Sequence, residues 1–218
     1  MVTDDERTST YIDSLSRANS DFLEELEVDC INNDIPIIRK SMQNLLKYIL
    51  RQNHPKSILE VGTAVGFSSI LMAETTDEDT VITTIEKYEK RIPIAKENFR
   101  LSGYEDKIEF IEGDAAEVLK DLISEGRTFD LIFMDAAKGQ YMNFFEDVMT
   151  LLNKGGTLVS DNVLQDGDIV QSRYAVKRRN RTIHSRMREY LKTLSSDKRL
   201  TTTILPVGDG VSLSVKEV

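Results

Sequence analysis

Five apolar or β-branched runs occupy the middle of this chain: Ser57–Val61, Thr80–Ile85, Ile108–Ile111, Phe129–Met134 and Thr157–Ser160. Segments of helical spacing separate them: Ser68–Glu74, a stretch through Ile94, Ala95 and Phe99, another through Val118, Leu119 and Leu122, and Phe144–Leu152. Strands joined through helices have to run parallel, because each crossover returns the chain across one face of the sheet. The pattern therefore predicts a doubly wound α/β sheet with helices on both faces. Two later runs, Thr201–Leu205 and Val211–Val215, flank Gly208-Asp209-Gly210. That is a hairpin signature, so an antiparallel addition at one edge is expected, for seven strands in a mostly parallel sheet. Before the first strand the pattern is helical. Phe22, Leu23 and Leu26 share a face, and Asn32-Asn33-Asp34 interrupts it. Pro36 suits the first turn of a new helix whose stripe is Ile38, Met42, Leu45, Leu46 and Ile49. We read one domain over residues 1–218, with 1–55 as a helical cap and 56–218 as the core, a size that buries one substantial core.

Composition removes several classes. With one cysteine, Cys30, and two histidines, His54 and His184, neither an internal disulfide nor a Cys/His zinc cluster can form. A reducing cytoplasm is the expected location. Met1–Arg7 is acidic and polar, unlike a secretory signal, and no apolar run approaches the ~20 residues of a membrane span. The net charge of −9 is unevenly spread. Arg173 to Val218 carries eleven Lys/Arg against four Asp/Glu, net +7, while residues 1–172 carry −16. Such asymmetry can mark one anion-binding face on an acidic body.

The chemistry-bearing residues fall at strand ends, where open α/β sheets bind ligands. Glu60-Val-Gly62-Thr-Ala-Val-Gly66 closes the first strand and opens a helix. Glycine lets the backbone turn sharply beside a ligand, but the middle glycine of a dinucleotide loop is missing, and an acidic Glu60 repels a pyrophosphate and suits a cationic cofactor. A plain strand-to-helix turn is the alternative. Glu86 ends the second strand, where a carboxylate can accept from both hydroxyls of a ribose or can cap a surface helix. Gly113-Asp114-Ala115 ends the third, either at an adenine edge or as an N-cap. Met134-Asp135-Ala-Ala-Lys138-Gly-Gln-Tyr141 ends the fourth and Ser160-Asp161-Asn162 the fifth. Asp135, Asp161 and Asn162 together form a hard oxygen set suited to Mg²⁺ or another divalent ion. Taken singly, each also reads as a helix cap or a turn residue.

The E-V-G-T-A-V-G loop, the D-A-A-K-x-x-Y segment and the D-N pair, three motifs in order over nearly the whole chain from Ile37, resemble the cation-dependent class I O-methyltransferases, the catechol and caffeoyl-CoA group. The resemblance implies a Rossmann-like class I methyltransferase fold and S-adenosylmethionine as cofactor. It implies a divalent metal, most simply Mg²⁺, on Asp135, Asp161 and Asn162, and Lys138 as proton acceptor. Cofactor contacts are implied for Met42, Glu60, Gly62, Thr63, Ser68, Glu86, Gly113, Asp135 and Tyr141, and less clearly for Asp114 and Ala115. A homodimer is expected as well.

The acceptor is the open question. After Asn162 the loop carries Arg173, Lys177, Arg178, Arg179 and Arg181, where relatives acting on phenols need an apolar slot. Phosphates suit these residues, although a solvated basic loop or a dimer contact is the plainer reading. The arrangement resembles the bacterial branch that methylates 5-hydroxyuridine at the tRNA wobble position. That implies an anticodon loop as partner. A catechol-like small molecule is the alternative acceptor, and a non-catalytic cofactor- or RNA-binding module is a further one.

Overall fold

The computed structural model describes residues 6–172 and 174–217. Three helices lead the chain: α1 (Glu6–Ser14), α2 (Asp21–Asn32) and α3 (Lys40–Asn53). Strands and helices then alternate: β1 (Ser57–Val61), α4 (Phe67–Thr75), β2 (Val81–Glu86), α5 (Ile92–Ser102), β3 (Ile108–Glu112), α6 (Ala115–Ser124), β4 (Phe129–Met134), α7 (Tyr141–Leu151) and β5 (Leu152–Ser160). Helix α8 (Arg181–Ser196), β6 (Leu200–Leu205) and β7 (Val211–Lys216) complete it. The sheet order is β3-β2-β1-β4-β5-β7-β6. Pairs from β3 through β5 are parallel, and β7 runs antiparallel to both β5 and β6. This is the expected seven-stranded Rossmann-like sheet with its antiparallel hairpin.

Strand side chains divide between two cores with the period of two that a pleated strand imposes. Ile58, Leu131, Phe133 and Val159 pack with α2, α3, α4 and α5 on one face. Leu59, Ile132, Met134 and Leu158 pack with α6, α7 and α8 on the other. Each fully buried Leu or Ile contributes about 1.5–3 kcal/mol, so both layers hold the sheet firmly from either side. The chain reverses direction across the sheet between β1 and β4, and a ligand crevice opens at such a switch point. Among the described residues no helix is long and apolar enough to cross a membrane.

Two expectations about local structure change. Pro36 does not start a helix. Residues 35–39 run extended and α3 begins at Lys40, after Arg39 at φ −65°, ψ 155°. Ile37 and Ile38 are β-branched and lose rotamer freedom in a helix. The Ile38 carbonyl accepts instead from the Gln43 side-chain amide at 3.0 Å, while Ile38 itself stays buried. The second change is at β5, which begins at Leu152 rather than Thr157. Its pairing with β4 shifts register between Phe129 and Leu131, and this irregularity accommodates Gly155 at φ +77°.

Candidate active site

Two cavities adjoin above the carboxyl ends of the strands. The larger, of about 440 Å³, lies over β1, β2 and β4, with Gly62, Glu86, Asp114, Asp135 and Phe144 among its walls. Gly113 and Ala115 line it too. The second, of about 320 Å³, is walled by the extended 36–39 segment, Met42, Asp161, Asn162, Gly208 and Asp209. Ala64, Arg91 and Asp135 belong to both, so the seam between the chambers runs past Asp135. Volumes of a few hundred Å³ are those of small-molecule sites.

The glycine loop makes the first chamber. Gly62 has φ +109°, and a Cβ there would lie 2.3 Å from the Asp135 carbonyl oxygen. Only glycine lets the turn after β1 pass this close to the turn after β4. Glu86 holds the loop from β2: its Oε2 accepts from the Ala64 N–H at 2.8 Å, and Oε1 accepts from Lys87 and Tyr88. Asp114 is the N-cap its sequence allowed and also lines the cavity. Oδ1 caps α6 by accepting from the Ala116 N–H at 2.9 Å, while the side chain faces the cavity and pairs with Lys87.

Three residues expected at the cofactor, Glu60, Thr63 and Ser68, are buried beneath the loop. Glu60 has no solvent exposure, and its carboxylate takes the hydroxyls of Ser68, Ser69 and Thr84. Burial pushes its pKa up to about 7 against those hydrogen bonds. Thr63 bonds to Thr84 at 2.6 Å in the same buried cluster. Alternation along β1 explains this placement: Val61 ends the strand on the α6–α8 side, so Glu60 points under α4. The structure therefore gives Glu60, Thr63 and Ser68 the work of tying β1, β2 and α4 together. Tyr141 is likewise fully buried. Its hydroxyl lies 3.0 Å from the Met134 carbonyl and 2.9 Å from the Asp161 carbonyl, bridging the ends of β4 and β5.

Asp135, Asp161 and Asn162 do converge. The Asp161 carboxylate accepts from the Asn162 N–H at 2.7 Å, and the Asn162 side-chain amide lies 3.4 Å from Asp135 Oδ1. Asn162 sits at φ +61°, a left-handed conformation that asparagine tolerates better than most residues. Burial raises Asp135 to about 6. Asp161 rises to about 7, through burial first and then the charge of Asp135. Two acids that repel each other beside an amide are a donor set that a hard cation would relieve. Lys138 lies in the turn between β4 and α7, makes no ion pair among the described residues, and its charge lowers the pKa of both aspartates.

The basic segment stands outside the cavities. Arg173 lies outside the described residues. Lys177, Arg178 and Arg179 are exposed and have no ion pair among the described residues. Arg181 turns back, donating to the carbonyls of Val176 and Tyr174 at 3.3 Å and stacking 5.8 Å from the Tyr174 ring. Tyr174 is 82% exposed. Arg186 of α8 donates to the Gly139 carbonyl at 2.9 Å, joining this helix to the turn that holds Lys138. Sequence reasoning missed Arg39, Arg91 and Asp209 on the cavity walls. Asp209 stands in the hairpin motif, which marks a turn and not a cavity wall; no motif marks Arg39, and only Arg91's position five residues after Glu86 offered a signal.

The O-methyltransferase family model matches residues 13–217. A caffeoyl-CoA O-methyltransferase of Populus trichocarpa is 34% identical over 176 residues, covering 77% of this chain and 70% of that one. The solved structure of a Staphylococcus aureus candidate caffeoyl-CoA O-methyltransferase superposes with a TM-score of 0.89 at 33% identity, over 97% and 100% of the two chains. A Podospora anserina methyltransferase solved with S-adenosylhomocysteine gives 0.86 at 27% identity, over 98% and 95%. With its strand order, its glycine loop and these similarities, the chain belongs to the O-methyltransferase family of the caffeoyl-CoA O-methyltransferase type, whose members transfer a methyl group from S-adenosylmethionine.

Proposed function

We propose that this methyltransferase works with a divalent cation and methylates 5-hydroxyuridine at the wobble position of tRNA. One observation carries the acceptor: Lys177, Arg178 and Arg179 stand exposed beside an exposed Tyr174, on a segment whose helix is bonded to the Lys138 turn. Cations interleaved with an aromatic ring suit a single-stranded loop, where phosphates need charge and unpaired bases need a stacking surface.

In this reading the larger cavity takes S-adenosylmethionine, with Glu86 accepting from the ribose and Gly113, Asp114 and Ala115 beside the adenine. Asp135, Asp161 and Asn162 would hold the cation, whose charge would acidify the acceptor hydroxyl. Lys138 takes the proton from the acceptor hydroxyl. Met42, on the wall of the second cavity, packs near the methyl donor. Asp135 orients both partners, because it stands at the seam where the methyl group crosses. Holding donor and acceptor in line is most of the work such a site has to do.

The test uses hypomodified tRNA. Wild type with S-adenosylmethionine and Mg²⁺ produces 5-methoxyuridine, read by nucleoside mass spectrometry, and chelator stops it. Replacing Lys177, Arg178 and Arg179 together by alanine makes the slope of log affinity against log salt shallower by up to about 2 units, at ~0.7 per lost phosphate contact. If the triple variant binds and methylates tRNA as wild type does, the segment is a solvated face. A catechol-like small-molecule acceptor then becomes the better reading.

A further inference from the structure

The second cavity has a closure that neither the motifs nor the family match assigns. One wall is the extended 36–39 segment and the other is the β6–β7 turn at Gly208 and Asp209; Asp161 and Asn162 lie between them. Across the gap, Arg39 Nη2 is 2.5 Å from Asp209 Oδ1. The two partners are held very differently. Asp209 is fixed by its backbone: its carbonyl accepts from the N–H groups of Leu164 at 2.9 Å and Gln165 at 3.1 Å, and Gly210 accepts from Val163 at 2.9 Å. A Cβ on Gly210 would collide with Leu164, so the turn is seated tightly on the loop that follows Asn162. The Asp209 side chain is 19% exposed. That of Arg39 is 56% exposed, at the end of a long flexible stem. One partner is anchored by its backbone; the other reaches it from an exposed stem.

We propose that Arg39 and Asp209 form a latch across the acceptor cavity, and that Arg39 exchanges Asp209 for a phosphate of the incoming nucleotide. The inference rests on the nucleic-acid reading above. Its physical basis is charge. Asp135, Asp161 and Asp209 surround this cavity, and each repels an anionic acceptor. Arg39 and Arg91 are the basic residues on its walls. Arg39 is the exposed half of this pair, so a polyanion can reach its guanidinium. The guanidinium fork then matches a phosphate in two hydrogen bonds, as it matches a carboxylate. The same residue that closes the empty chamber thus selects what opens it.

The latch makes opposite predictions for its two halves. Arg39→Ala removes the phosphate contact and raises KM for hypomodified tRNA about tenfold, with the change falling on KM rather than kcat. Asp209→Asn keeps the shape of the turn, removes the charge that holds Arg39 across the cavity, and lowers the same KM two- to threefold. Arg39→Lys restores part of the loss. KM for S-adenosylmethionine and thermal stability, measured alongside, report on folding. A structural strut behaves otherwise: both substitutions raise KM for tRNA and lower stability together. That same-direction result, or no change in either variant, overturns the latch while leaving the acceptor assignment intact. Wild type that leaves hypomodified tRNA unmethylated overturns the acceptor assignment, and the latch with it.

Discussion

Tyr141→Phe separates a structural role for Tyr141 from a cofactor contact. The substitution deletes one hydroxyl and leaves the ring, which packs edge-on against Tyr190 at 5.3 Å. The lost proton is shared between the Met134 and Asp161 carbonyls. Met134 keeps a partner, because its carbonyl also accepts from the Asp161 N–H at 3.0 Å. The cost is therefore that of one buried hydrogen bond and one desolvated carbonyl, about 1–2 kcal/mol. For a chain of 218 residues each kcal/mol moves Tm by about 2–4 °C, so we expect a fall of about 2–8 °C in calorimetry. Affinity for S-adenosylmethionine should stay within about twofold, since Tyr141 is sealed below the cavities. Activity should drop, because the hydroxyl sets the spacing between the ends of β4 and β5, which carry Asp135 and Asp161. A variant with unchanged Tm, or one whose cofactor affinity collapses while Tm holds, refutes this reasoning.

Two further outcomes follow from the same geometry. Glu60 has its folded pKa raised to about 7 from an ordinary 4.5, so its contribution to stability is complete below about pH 4.5 and is lost as pH rises through 7. Glu60→Gln, neutral at every pH, should flatten the decline in Tm between those limits; a parallel decline in both proteins would show that another group titrates. Gly62→Ala at φ +109° forces a Cβ against the Asp135 carbonyl. Loss of S-adenosylmethionine binding and a destabilisation of at least about 1 kcal/mol are expected, checked by calorimetry, and an alanine variant that binds cofactor normally would show that the loop can move aside.

Much of this protein was legible from local pattern. The alternation of five strands with four helices and the Gly208-Asp209-Gly210 hairpin specify the order of elements and the parallel run of the first five strands, because period and turn chemistry are properties of a few adjacent residues. The same locality puts Gly62, Glu86, Asp135 and Asp161 at strand ends and hence at one edge of the sheet. Which of those side chains reach a cavity was decided elsewhere. Glu60 and Glu86 look alike in sequence, yet one is sealed under α4 by Ser68, Ser69 and Thr84 while the other faces the crevice. Pro36 carried a helix-start signal, and packing drew its segment out into a cavity wall. Arg39 and Asp209, 170 residues apart in the chain, meet only because β7 inserts between β5 and β6 and brings the β6–β7 turn over the second cavity. Local pattern specifies where the backbone turns and on which side a residue leaves it; what covers that side depends on contacts between distant segments, which only the folded chain contains.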